Sequence, residues 1–313
     1  MTVETAQGHG FWVGAAGVDV FFVLSGFLIF GFIQKASHYL KFWLKRVIRI
    51  YPTYLLLTTF FFAVSVTLLG RSVSSVMLRY ALSITFIPHL NHLGQLKPLL
   101  GDGWSLVDEF WFYTYAALCL YFKRYRFVLF VIPIFVVLVF HQFGAAPISA
   151  FLGSLILLEF WLGALAKLLY EVRISKTIAI VVIVVGLSTF FADHFFHFNL
   201  AYDRLFVWGL PAFLIVTGAS HLKVPYTALG RVLSDTSYPV YLTHPIYVIG
   251  AMRLLPHVYE RGGPVLLFIG LTIVLASYLT AWLIFKVFSE PVGRCMRDSL
   301  LAPLARERVE VNV

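Results

Sequence analysis

The sequence predicts an all-α fold, a polytopic membrane helical bundle of about nine transmembrane helices. Three observations lead there. Hydrophobic residues fill 60% of the 313 positions and charged ones only 12%, with mean hydropathy +0.87, whereas a soluble domain carries about 25% charge to cover its surface. Nine stretches are close to the length of apolar helix, about 20 residues, that crosses a hydrocarbon core. Lysines and arginines collect in alternate connections, as expected of a chain that threads a bilayer repeatedly. The same composition excludes disordered and collagen-like classes, and with only Cys119 and Cys295 no disulfide is inferred.

The first stretch, 17–34, opens on Gly17-Val18-Asp19 and stays apolar to its end. A basic connection follows, then 51–69, which begins at Tyr51-Pro52. Residues 75–88 form a shorter apolar run with Arg79 inside and Pro88 near its end, so a re-entrant or interfacial segment is expected there. The span 104–122 starts in an aromatic block and stops at Lys123-Arg124; 126–141 is aliphatic and aromatic; 147–170 carries Glu159 near its middle. After Lys176 come 177–192, then 201–219 with Trp208-Gly209-Leu210-Pro211, 236–255 with Pro239 and Pro245, and 264–288.

If the first span enters from outside, eighteen of the 24 Lys and Arg fall on the inner side, which predicts a cytoplasmic C-terminus. Arg71, Arg79, Lys97, Arg204, Arg253 and Arg261 remain outside. The expected organisation is a polar N-terminal segment 1–16, one membrane domain 17–297 and a cytoplasmic tail 298–313, with no internal repeat. The N-terminal segment has Glu4 and no Lys or Arg, unlike a cleaved secretory signal. A net charge of +9 reflects basic inner loops, and with no nucleic-acid motif no nucleic-acid partner is expected.

Ionisable groups inside spans cost about 3 kcal/mol each and therefore mark bundle interiors and function. Here they are Asp19, Asp108, Glu109, Glu159 and His244. Ser105 and Glu109 stand four residues apart, so a hydroxyl and a carboxylate share one helix face; the pair fits a sugar hydroxyl or an oriented base, and equally an interhelical hydrogen bond. His244 lies in Ser237-Tyr238-Pro239-Val240-Tyr241-Leu242-Thr243-His244-Pro245. Imidazole suits a general base, yet prolines free backbone groups that side chains must cover, which favours a structural donor. Arg46 and Arg49, three apart, point the same way; they can clamp phosphates or simply mark the inner boundary. No HExxH, CxxC or clustered His and carboxylates is present, so no metal is expected.

Residues Gly17-Val18-Asp19-Val20-Phe21-Phe22-Val23-Leu24-Ser25-Gly26-Phe27-Leu28-Ile29 resemble the signature of the bacterial membrane acyltransferase family 3. Four further stretches fit in order: Arg46/Arg49 with Tyr51-Pro52, the block Trp104 to Tyr113, Arg204 with Trp208 to Ala212, and Ser237 to Pro245. Glu290-Pro291 agrees as well, so the resemblance covers nearly all of 17–297. It implies an integral O-acyltransferase of the cell inner membrane, moving an acyl group, expected to be acetyl, from acyl-CoA to a hydroxyl of an extracellular or envelope polysaccharide or glycolipid.

On that resemblance acyl-CoA is a donor substrate, no cofactor is bound permanently, and membrane lipid surrounds the protein. Arg46 and Arg49 hold CoA phosphates; Glu109, Asp19, Ser105 and His244 are the candidate catalytic residues. The family usually has ten helices, and its first carries an arginine and a histidine proposed as the base. Here the chain begins too late for that helix, and His9, eight residues before Gly17, is not assigned the role. Weak or absent activity is therefore the expectation for the chain as it stands. A transporter of glycan or lipid-linked sugar, and a non-catalytic membrane subunit, are the alternative classes; Pro211, Pro239 and Pro245 as helix breaks would favour the first.

Overall fold

The computed structural model describes residues 16–142, 147–196, 204–223, 225, 227–254 and 263–310. Among them helix is the regular structure; one isolated bridge, Leu90 to Leu96, is the sole β pairing. The all-α expectation is met. The helices are α1 Gly17–Gln34, α2 Tyr39–Thr67, α3 Val73–Ile84, α4 Trp104–Tyr121, α5 Arg126–His141, α6 Pro147–Leu152, α7 Glu159–Leu169, α8 Lys176–Phe196, α9 Leu210–Ser220, α10 Ala228–Leu254, α11 Gly263–Ile284 and α12 Glu290–Glu310. Single π turns, Leu205–Gly209 and Phe285–Ser289, lead into α9 and α12.

By length and composition, four helical stretches among the described residues are able to cross a membrane: Gly17–Gln34, Tyr39–Thr67, Ile148–Leu169 and Gly263–Pro303. Val73–Ile84, Arg126–His141, Lys176–Phe191 and Leu205–Ser220 are apolar but shorter. α3, with 12 residues, reaches about 18 Å and is too short to span. The stretch expected as one span at 147–170 is broken at Gly153 and Ser154. A Cβ on Gly153 would lie 2.6 Å from the backbone of Phe140 and His141, and the imidazole of His141 bonds the Gly153 carbonyl at 3.0 Å. Glu159 thus begins a helix while standing, as expected, near the middle of the apolar stretch Ile148–Leu169.

The chain forms two compact units, Met1–Tyr39 with Trp111–Val224 and Leu40–Phe110 with Pro225–Val313. In the first, α1 packs on α7 at two glycines. A Cβ on Gly26 would stand 1.9 Å from the Phe160 carbonyl oxygen, and one on Gly163 would stand 2.0 Å from that of Val23. Small residues let backbones meet where lipid offers no hydrophobic drive. Phe160 stacks on Phe112 at 3.9 Å and meets Phe22 at 4.7 Å, closing the crossing. Gly218 lies against Ala179 in the α8–α9 pair in the same manner.

In the second unit the turn after α3 anchors the core. Phe86 takes φ +55°, the left-handed region that a bulky residue rarely adopts. Its N–H bonds the Ser83 carbonyl, and that of Ile87 bonds Leu82, a helix-ending motif that ordinarily uses glycine. The strain is offset by stacking: Phe86 lies between Tyr54 at 4.7 Å and Phe110 at 4.4 Å. Ser83, fully buried, accepts from Leu99 N–H at 2.8 Å, so the loop before α4 is tied to α3.

Candidate functional site

The six residues singled out by sequence divide between the units: Asp19 belongs to the first, and Arg46, Arg49, Ser105, Glu109 and His244 to the second. Asp19 lies in the first turn of α1 and is fully buried. Arg204 grips it with a two-point fork, Nε to Oδ1 at 3.1 Å and Nη2 to Oδ2 at 2.8 Å. Such bidentate geometry is the strong form of ion pairing. The same guanidinium lies 4.8 Å over the ring of Trp208, itself buried. Glu159, the first residue of α7, is also fully buried and is a neighbour of Asp19. Its Oε1 comes within 3.1 Å of where a Cβ on Gly209 would stand, so the π turn brings glycine backbone against the carboxylate. Both Asp19 oxygens are therefore held by one guanidinium.

In the second unit α4 places Ser105 and Glu109 on one face, as their spacing predicts, and both are 1% exposed. The Tyr241 hydroxyl donates to the Asp102 carbonyl at 2.8 Å. A phenol has one hydrogen, so in the 2.8 Å contact between Ser105 Oγ and Tyr241 Oη it is Ser105 that donates. This commits the Ser105 proton and leaves its oxygen able to accept. Changing Tyr241 to Phe removes both bonds; the expected cost is about 1–2 kcal/mol, read as a lower unfolding temperature.

His244 shows how a proline sets a tautomer. Pro245 has no N–H, so the Tyr241 carbonyl, four residues back, loses its helical donor. His244 Nδ1 bonds that carbonyl at 2.7 Å. A carbonyl only accepts, so Nδ1 carries the hydrogen and, in the neutral ring, Nε2 carries the lone pair. The structural role argued from sequence is present, and the nitrogen suited to a base is the other one. Pro239 and Pro245 lie inside a continuous α10 and do not break it.

Asp102, which sequence reasoning passed over, completes this cluster. It stands in the 3-10 turn Gly101–Gly103 just before α4. Burial pushes its carboxyl above the usual carboxylate range, against the opposing pull of His244 and then Lys97. Arg204 was likewise read only as one charge of an outer loop and as part of a motif. Neither role is visible in local spacing, because Arg204 meets Asp19 across 185 residues and Tyr241 meets Asp102 across 139.

Arg46 and Arg49 lie on α2, which extends further toward the N-terminus than the apolar run alone implied. Between them Ile48 is buried, Arg46 is half-buried with its guanidinium 5.8 Å over the Phe42 ring, and Arg49 is exposed. The pair is thus presented on one helix with an apolar residue between that faces the protein. His9 and the segment preceding Ala16 lie outside the described residues.

A family model described as an acyltransferase domain matches residues 3–284. The chain is 29% identical over 261 residues to the exopolysaccharide production protein ExoZ of Rhizobium meliloti (strain 1021), covering 76% of this chain and 77% of the relative. No solved structure matches. With its acyltransferase domain extending over nearly the whole of an apolar helical chain, the protein belongs to the membrane acyltransferase family 3.

Proposed function

We propose that the protein transfers an acyl group, acetyl in the first instance, from acyl-CoA to a hydroxyl of an extracellular or envelope polysaccharide, working as a multi-pass protein of the cell inner membrane with its C-terminus in the cytoplasm. The observation that carries this is the acyltransferase match over residues 3–284. The likeness to a protein of exopolysaccharide production supports the acceptor class. The Arg46/Arg49 pair supports the donor, because two guanidinium forks three residues apart suit the phosphates of CoA.

In the reaction the acceptor O–H gives its proton to a base as the oxygen attacks the thioester carbonyl; the C–S bond breaks and the CoA thiolate takes up a proton. His244 Nε2 is assigned as proton acceptor, Asp102 as the carboxylate that steadies the imidazolium, and the Ser105 oxygen as acceptor of a sugar hydroxyl. Glu109, buried one turn from Ser105, orients the same face. Asp19, held by Arg204, positions α1.

Membranes holding the protein, supplied with acetyl-labelled acetyl-CoA and polysaccharide, are expected to form base-labile ester label on the glycan above that of membranes without it, at the low level expected of the chain as it stands. Absence of label with folded protein would overturn the reading. Arg46→Ala with Arg49→Ala is expected to weaken CoA binding about ten-fold or more; unchanged affinity would return the pair to a purely topological role. His244→Gln is expected to cut transfer about 100-fold or more. Unchanged transfer would leave His244 as a structural donor only.

A further inference from the structure

Away from the clusters described above, the second unit holds two further arginines, at the far end of α2 from Arg46 and Arg49. About 27 Å of helix separates Arg49 from Thr67, the last residue of α2. The chain then reverses at Gly70, φ +62°, a left-handed backbone that glycine adopts freely. The Arg71 N–H holds the reversal by donating to the Ser65 carbonyl at 3.1 Å. From there α3 runs back along α2: Tyr80 bonds Thr59 at 2.9 Å and meets the Phe62 ring at 4.7 Å, and the Tyr54 hydroxyl donates to the Ser83 carbonyl at 3.2 Å. Val76 is buried, while Val73, Met77 and Leu78 are exposed, Leu78 to 67%. Helical side chains lean toward the N-terminus, so Arg79 reaches back in the direction of Arg71. Burial, and after it the charge of Arg71, hold the Arg79 guanidinium below its usual range, though still protonated.

We propose that Arg71 and Arg79 bind the phosphate of an anionic phospholipid, in the leaflet opposite Arg46 and Arg49. Neither arginine has an ion pair among the described residues, and the chain carries no Asp or Glu between Asp19 and Asp102. Two like charges brought together without an acid raise each other's energy, which an anion relieves. Arg79 Nε is buried and has no hydrogen-bond partner among the described residues. An arginine that merely snorkels keeps its charged head in water. Here, turning the fork to a phosphate gains charge-assisted bonds and gives up none at Nε. The place selects lipid over a free anion. Arg71 stands four residues beyond the end of a helix able to cross the membrane, at the depth of headgroups, and exposed Met77 and Leu78 on α3 offer acyl chains an apolar face. Two guanidiniums also favour a lipid of net negative charge over phosphatidylcholine, whose ammonium they repel.

The test uses the full chain in detergent, with short-chain phosphatidylglycerol, short-chain phosphatidylcholine and inorganic phosphate as probes. Bound lipid is read by native mass spectrometry and by the rise in unfolding temperature. Phosphatidylglycerol is expected to bind about ten-fold more tightly than either other probe. Arg71→Ala with Arg79→Ala should remove that preference, and Arg71→Lys with Arg79→Lys should keep most of it. Leu78→Ser should weaken the lipid and leave inorganic phosphate unchanged. Arg71→Ala alone, at an exposed residue, decides the matter if the double variant fails to fold. Unchanged phosphatidylglycerol affinity in the Ala variants overturns the inference. So does equal affinity for phosphatidylcholine, or for inorganic phosphate, the latter marking a free-anion site. An equal loss from Arg294→Ala with Arg297→Ala, exposed arginines of α12, would assign the effect to net charge and overturn it too. Acyl transfer is not the readout, so the result stands apart from the reaction proposed above.

Discussion

Arg204→Ala is expected to destabilise the protein by about 3 kcal/mol, the low end for breaking a buried ion pair, because the Arg204 side chain is 27% exposed. The loss arises from what is left behind. Asp19 is fully buried, and Glu159 beside it is fully buried too. Without the guanidinium, the buried Asp19 carboxyl loses the fork that holds both its oxygens, beside a second buried acid. Asp19→Asn is expected to cost less, since the partner then left unpaired is the one that reaches solvent. Combining Asp19→Asn with Arg204→Gln should recover much of the stability of Arg204→Ala. Thermal unfolding in detergent, run as a double-mutant cycle, measures all three. Equal losses from the two single changes would mean that burial of the acid is not what makes the pair necessary.

Gly163→Ala is expected to be as damaging, at about 3 kcal/mol or more, by a different route. The added methyl would stand 2.0 Å from the Val23 carbonyl oxygen and 2.6 Å from the Phe27 nitrogen. Both are backbone atoms, so no side chain can swing aside and α1 and α7 must part. Separation would also open the Phe112–Phe160 stack and draw Glu159 from Asp19. Gly26→Ala meets the Phe160 carbonyl and should behave alike. Gly250→Ala, with nothing within 4 Å, is the control and should be neutral or slightly stabilising. Yield of monodisperse protein and its unfolding temperature decide the outcome.

The helices were legible because an apolar run bounded by basic residues carries its own meaning in lipid. Their ends were less so. α2 starts well before its apolar stretch, since Lys41, Lys45, Arg46 and Arg49 are good helix formers whose charge says nothing against helix. The break before Glu159 was missed because Gly153 and Ser154 lie in a run whose hydropathy does not falter; its cause is a close approach to α5 that no local pattern announces.

At the candidate site the shared face of Ser105 and Glu109 could be read from a spacing of four. So could the duty of His244 toward a carbonyl stranded by Pro245, because both follow from helix geometry alone. The partners Tyr241, Asp102 and Arg204 could not, since each is joined to its counterpart through the fold over more than a hundred residues.

From Gly263 through the π turn to Glu310 the helical rod is continuous, and its first 27 residues already measure about 40 Å, against about 30 Å of hydrocarbon. With the apolar part immersed along the bilayer normal, Gly293 is about 45 Å along the rod from Gly263, at the edge of a bilayer about 40–45 Å thick with its headgroups. The charged end of α12, with Arg294, Arg297 and Asp298, then keeps its hydration at no cost to the apolar stretch that carries it.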